Sequence, residues 1–146
     1  MRVYLARSNQ HHDNIRVLLA DDERCVRSAL RFLLWQETGM TVVGEAETAN
    51  QVLTMTQEVH PDLVLLDWEL PDLEGLTTLA QLREHHPLLG VIVLSGRPES
   101  RQAALDAGAD DFVSKGDPPE CLRTALADFL AHYQAVRSGL EVVGFK

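Results

Sequence analysis

The chain has 146 residues, 45% of them hydrophobic and 24% charged, which suits one domain with a real core and excludes disordered and fibrous classes. A formal net charge of −9 and a pI near 5.0 exclude a sequence-independent grip on nucleic acid, which needs clustered Lys and Arg. No apolar run approaches a membrane span and the N-terminus lacks the apolar centre of a signal peptide, so a cytoplasmic setting is expected, without membrane or direct nucleic-acid contact.

Residues 1–14 are polar and aperiodic after a short apolar start, and read as a flexible N-terminal extension in which His11 and His12 are solvated. The domain proper is expected over 15–138, with 139–146 an apolar C-terminal tail and no output domain. Residues 15–20 (IRVLLA) predict the first strand and end in Asp21, Asp22 and Glu23. Val26, Ala29, Leu30, Leu33 and Leu34 then recur at helical spacing over 23–36, with Gly39 as a stop. Residues 41–46 read as a short second strand. A helix follows over 49–59, with Val52, Met55, Thr56 and Val59 on one side, and His60-Pro61-Asp62 breaks it. Leu63-Val64-Leu65-Leu66 is apolar at every position, the pattern of a parallel strand covered on both faces. It stops at Asp67, and Pro71 prevents simple continuation.

Residues 73–86 predict a third helix, with Leu76, Leu79, Ala80 and Arg83 in phase. Val91-Ile92-Val93-Leu94 is another doubly buried strand, ending at Ser95-Gly96. A short Ala-rich helix over 100–107 has a weak apolar face, is expected to be the most mobile helix, and closes at Gly108. Residues 111–115 form the last strand. Pro118 and Pro119 open a fifth helix that ends at Gly139. Its stripe of Leu122, Ala125, Leu126, Phe129, Leu130, Tyr133 and Val136 is long enough to outrun the sheet. Cys25 and Cys121 lack metal-ligand spacing and read as reduced, partly buried thiols near two helix starts on one side of the sheet, a redox bridge being the lesser alternative. The five strand–helix alternations predict an α/β fold, a flavodoxin-like doubly wound five-stranded parallel sheet with helices on both faces.

Each strand expected to end at one rim of that sheet delivers a chemically useful side chain. Strand one brings Asp21 and Asp22, strand three Asp67, strand four Ser95 and strand five Lys115. Packing gives no reason for such a set, and open α/β sheets keep their sites at this rim. Grouped carboxylates repel, so one rises in pKa unless a cation neutralises them. A hard divalent ion with oxygen ligands, Mg²⁺ above all, suits the set. With the charge so offset, a free oxygen of Asp67 can attack phosphorus. Lys115 and the Ser95 hydroxyl, or a nearby backbone N–H, would receive phosphoryl oxygens, and the small Gly96 leaves room beside them.

The segments IRVLLADDE, DLVLLDWELPDLEG, VIVLSG and GADDFVSKG, in this order within about residues 15–136, resemble the receiver domain of two-component response regulators. Their spacing is most similar to the subfamily that carries a C-terminal helix-turn-helix. The resemblance implies that Asp67 is the phosphoacceptor and that Asp22, Asp67 and the backbone carbonyl of Glu69 bind Mg²⁺ directly, with Asp21 assisting through water. It implies further that Lys115 contacts the phosphoryl group, that Ser95 turns toward it, and that Phe112 is the aromatic switch. A partner face over about residues 98–136 completes the pattern. The implied partners are a histidine kinase or histidine phosphotransfer protein, and either a downstream protein target or an output domain outside this chain. A homodimer through the long fifth helix is a further expectation.

Two departures stand out. Gly116 replaces the Pro that follows the Lys in many members, so the usual cis peptide is absent and the loop is freer. Glu69 puts an acid two positions after Asp67, where its side chain can influence attacking water and so the phosphoryl lifetime. Two other readings use the same residues. An unphosphorylated scaffold, or pseudo-receiver, is usually missing acids or the Lys, and this chain keeps the full set. A Mg²⁺-dependent phosphatase with an Asp nucleophile would use Glu69 at the right offset, but the matching Thr and a cap domain are missing. The favoured reading is not an enzyme with a separate substrate; it phosphorylates itself and slowly hydrolyses the product.

Overall fold

Residues 14–37 and 39–138 are described by the computed structural model. His11 and His12, nearly all of the expected extension, the 139–146 tail and the stop at Gly139 lie outside the described residues. Strands β1 (Ile15–Ala20), β2 (Met40–Ala46), β3 (Leu63–Asp67), β4 (Gly90–Ser95) and β5 (Asp111–Ser114) form one parallel sheet in the order β2-β1-β3-β4-β5. Helices α1 (Arg24–Trp35), α2 (Ala49–Val59), α3 (Gly75–His85), α4 (Arg101–Asp106) and α5 (Pro119–Ser138) connect and follow them, with a 3-10 turn at Pro98–Ser100 before α4. This is the flavodoxin-like arrangement expected from the strand–helix alternation.

The period-2 alternation of the strands sorts their side chains onto two cores. Leu18, Val64, Leu66, Val91 and Val93 meet Val52 of α2, Leu79 and Leu82 of α3, and Ala104 of α4. Val17, Leu19, Leu63, Leu65, Ile92 and Leu94 meet Leu30 and Leu34 of α1 and Leu122, Ala125 and Leu126 of α5. Apolar residues on both sides of a strand are what two helical layers demand. The chain leaves β1 toward β2 and returns past β1 to β3, so the loops after β1 and β3 part at the rim and open a crevice between them. The pairing of Ala20 with Leu66 aligns the two strand ends, which puts Asp21 and Asp67 side by side.

Three expectations need correction. On α1 the buried stripe is Arg27, Leu30 and Leu34, while Ala29 is exposed; Arg27 is 7% exposed because Glu45, Glu47 and the Asp21 backbone carbonyl draw its guanidinium inward. On α3 the buried residues are Thr78, Leu79 and Leu82, leaving Ala80 exposed and Leu76 68% exposed. The helix starts at Gly75, where a Cβ would lie 2.3 Å from the Trp68 ring, so the ring packs directly on the backbone of its first turn. Cys25 and Cys121 are free and exposed, not partly buried. Each sits one or two positions off its helix's buried stripe, in the first turn, where no neighbouring layer covers it.

The short helix has one buried residue, Ala104, in keeping with its weak apolar face. Gly108 closes it with φ +116, a conformation L side chains rarely adopt. Toward the far end of α5, Phe129, Leu130 and Tyr133 are half-buried and still pack on the core, Phe129 lying against Gly90 of β4; Val136 is half-buried beyond them. Among the described residues no helix is long and apolar enough to cross a membrane.

Candidate functional site

The loop after β1 holds Asp21, fully buried, and Asp22, exposed; β3 ends at Asp67, which is 2% exposed. One carboxylate oxygen from each of the three lies within 4.8 Å of the others. Short local turns fix two of them: the Glu23 N–H donates to Asp21 Oδ1 at 2.9 Å, and the Glu69 N–H to Asp67 Oδ1 at 2.9 Å. Lys115 follows edge strand β5, and its long stem spans the rim to reach the central strands. Its Nζ lies 2.8 Å from Asp21 Oδ2 and 3.2 Å from Asp67 Oδ1, while its backbone N–H donates to the Ser95 carbonyl at 2.7 Å.

Burial is the main cause that lifts the Asp67 carboxyl above the usual carboxylate range. The Glu69 N–H opposes it, Asp21 adds to it, and Lys115 opposes it. Burial works against the Lys115 ammonium, but its hydrogen bond to Asp21 and the charges of Asp67 and Asp21 outweigh that and hold it above its ordinary value. Three carboxylates facing this one ammonium leave a surplus of negative charge among hard oxygen donors. That donor set fits Mg²⁺, and Asp21, Asp22 and Asp67 are the side chains that would hold it.

Ser95, at the end of β4, is fully buried and its hydroxyl is already engaged. It donates to Glu69 Oε2 at 2.5 Å and accepts from the Arg97 N–H at 3.0 Å. The neighbouring Gly96 N–H donates to Glu69 Oε1 at 3.0 Å. The Glu69 side chain therefore reaches across from the β3 loop to the β4 loop. Phe112 on β5 is buried in the core layer of α2, α3 and α4; the Arg101 guanidinium sits 5.8 Å from its ring centroid and donates to its carbonyl at 3.2 Å.

The structure thus brings Asp21, Asp22, Asp67 and Lys115 into one cluster, and joins Ser95 to Glu69 beside it. Phe112 lies away from the carboxylates, in the core. Two supporting residues escaped the sequence reading. Arg27 donates to the Asp21 carbonyl at 2.7 Å and pairs with Glu45 at 2.9 Å and Glu47 at 3.3 Å, bracing the β1 loop from beneath. The signal for it was a charge in phase with Leu30 and Leu34 on an apolar stripe. Asp72, in the loop after β3, accepts from the N–H groups of Ala49 at 2.7 Å and Asn50 at 3.0 Å, which holds its carboxyl below the usual range, the Ala49 N–H contributing most. It ties that loop to the start of α2, and no sequence pattern pointed to it.

A groove of about 360 Å³ runs between α1 and α5 next to Lys115, lined mainly by Val26, Leu30, Leu33, Val113 and Leu122. A second cleft, of about 550 Å³, lies at the opposite rim of the sheet, where His60, His85, His86 and His132 converge, far from the carboxylates.

The sequence model of the response regulator receiver domain family matches residues 17–127. Over 130 residues the chain is 39% identical to the nitrate/nitrite response regulator protein NarL of Escherichia coli (strain K12), covering 87% of this chain and 60% of that protein. A two-component response regulator of the LuxR family from Aurantimonas sp. SI85-9A1 superposes with a TM-score of 0.75 at 30% identity, over 82% of this chain and 86% of that one. The isolated REC domain of RcsB from Salmonella enterica serovar Typhimurium, solved in the presence of phosphomimetic BeF3−, gives a TM-score of 0.70 at 28% identity, over 78% and 86% of the two chains. The chain spans 50% and 60% of the length of the first two curated relatives it matches.

Proposed function

Because the chain belongs to the response regulator receiver domain family, in the branch whose members carry a helix-turn-helix, we propose that it is a phosphorylation-controlled switch with Asp67 as its acceptor. The donor is a cytoplasmic histidine kinase or histidine phosphotransfer protein. An Asp67 carboxylate oxygen bonds to phosphorus while the bond from phosphorus to the donor's imidazole nitrogen breaks, so no separate small substrate is turned over. The observation that carries this reading is Lys115 Nζ bridging Asp21 and Asp67 with the oxygens of Asp22 within reach.

Each residue has a task in that transfer. Asp22, Asp67 and the Glu69 carbonyl would hold Mg²⁺, with Asp21 assisting, and the ion would supply positive charge to offset that on the phosphoryl oxygens. Lys115 keeps its bond to Asp21 and trades Asp67 for a phosphoryl oxygen, since the new group carries more charge than the carboxylate it replaces. Ser95 and the Gly96 N–H supply neutral donors at the neighbouring strand end. Turning Ser95 toward Asp67 draws the loop after β4 with it, and Phe112 and Arg101 pass the change to α4, β5 and α5. A downstream protein, or an output domain beyond this chain, reads that face.

Amide NMR with and without beryllofluoride in excess Mg²⁺ tests the switch. The expected changes fall at the strand-end loops and over residues 98–136, with β2 and α2 nearly unmoved. Changes confined to the loops around Asp21 and Asp67 would contradict a switched partner face.

A further inference from the structure

We propose that the Glu69 carboxylate is an internal occupant of the phosphoryl-oxygen subsite, a latch that holds the Ser95 hydroxyl and the Gly96 N–H until an anion on Asp67 displaces it. The inference rests on Asp67 being the acceptor. Glu69 stands two residues beyond Asp67, and its two oxygens take one donor each: Oε2 from Ser95 Oγ at 2.5 Å, Oε1 from Gly96 N at 3.0 Å. The donors are the last residue of β4 and the first of the loop after it, and this strand end is pinned beside Asp67 by the Asp67–Leu94 pairing and the Trp68 N–H to Leu94 carbonyl bond of 2.8 Å. A Ser hydroxyl has one proton and a backbone amide has one, so neither can serve a phosphoryl oxygen while Glu69 holds it.

The space is suited to exchange. A Cβ added at Gly96 would find nothing nearer than Glu69 Oε1, at 4.0 Å, so there is open room beside this glycine with the carboxylate at its edge. Ser95 is fully buried, and its hydroxyl needs an acceptor; Glu69 supplies the short one in the resting chain, the Arg97 carbonyl standing farther off at 3.3 Å. Glu69 itself is exposed, so on release its carboxylate enters water with little desolvation to undo. A phosphoryl group on Asp67 presents the same kind of anionic oxygens with more charge, and the two anions cannot share the donors. The latch therefore opposes occupation of the subsite, and raises the threshold at which the switch turns.

Calorimetric titration of beryllofluoride in saturating Mg²⁺, on wild type, Glu69→Ala, Ser95→Ala and the double variant, tests the latch. Glu69→Ala is expected to bind about tenfold more tightly than wild type, equivalent to roughly 1.4 kcal/mol. In the Ser95→Ala background the same change is expected to gain about threefold or less, because one of the two held donors is already gone. An equal gain in both backgrounds would mean that Glu69 acts only as a repulsive charge, and the latch is overturned; so it is if Glu69→Ala binds no more tightly. Binding by neither wild type nor Glu69→Ala overturns the acceptor reading itself, and the latch with it. Without metal or anion, the Gly96 amide resonance is expected to move and its hydrogen exchange to quicken in Glu69→Ala; an unmoved resonance contradicts the latch independently of any binding.

Discussion

Asp67→Asn is expected to take up no phosphoryl group from acetyl phosphate and yet to unfold at a higher urea concentration than wild type. The loss is complete because the amide offers no nucleophilic oxygen anion at the end of β3. The gain in stability arises from the surroundings of the carboxylate it replaces. Asp67 is buried and faces Asp21, and burial above all lifts its pKa over the unfolded value. A group with a raised folded pKa favours the fold below its unfolded pKa, and that contribution is lost as pH rises through the folded pKa. Above that folded pKa the wild type therefore bears the penalty of an ionised, crowded carboxylate, and the amide does not. The amide keeps an oxygen to accept the Glu69 N–H, now at 2.9 Å from Oδ1. The gain should be on the order of 1 kcal/mol, the low end of the stabilisation typical when neutral groups replace buried charges. It should shrink as the buffer is acidified through the raised pKa of Asp67, where the wild type takes up its proton. An equal or lower midpoint for the variant at neutral pH contradicts this account of the site's electrostatics.

Lys115→Ala should have the largest destabilising effect of any single change at the rim. It leaves Asp21 and Asp67, both buried, without the ammonium that lies 2.8 Å from one and 3.2 Å from the other. Removing one partner of a buried pair typically costs about 3–5 kcal/mol; with the Lys115 side chain partly open to water, about 2–3 kcal/mol is expected. Mg²⁺ should restore much of it, since a ligand at a hundred times its dissociation constant stabilises by about 2.7 kcal/mol. Adding Asp67→Asn should also restore part, because the repulsion needs both acids. Phosphoryl uptake should fall on the order of a hundredfold, the scale of losing one charged donor to developing phosphoryl charge. Urea denaturation with and without Mg²⁺, beside timed uptake from acetyl phosphate, reads all of this. Wild-type stability in Mg²⁺-free buffer would contradict the pairing's role in the resting fold.

Most of this arrangement is legible in the sequence, for a reason that lies in the sheet. Strands covered on both faces must be apolar throughout, so Leu63 to Leu66 and Val91 to Leu94 stand out, and the first polar residue after each run marks the rim. Hence the pattern of residues alone places Asp67 and Ser95 at one edge. Helix faces were less legible. Periodicity alone set Ala29 and Leu76 inward, but on α1 the acids around Arg27 draw that residue in, and on α3 the Trp68 ring packs against Gly75. Both are tertiary contacts that a single helix's pattern does not encode. The exposure of the thiols is hidden for a related reason: Cys25 and Cys121 lie beside a buried stripe, and a step of one residue turns a side chain by about 100°. Glu69 is visible as an acid two residues after Asp67. Its bonds to Ser95 and Gly96 are not, because they join loops 26 and 27 residues apart that only the β3–β4 pairing brings together.

The central claim is that Asp67 accepts a phosphoryl group with the help of Mg²⁺, and intact mass after incubation with acetyl phosphate tests it most directly. The account predicts an acid-stable, base-labile gain of one phosphoryl group on the wild type, mapped to Asp67 and blocked by a chelator. No gain in excess Mg²⁺, or steady phosphate release with many turnovers per chain, would contradict it.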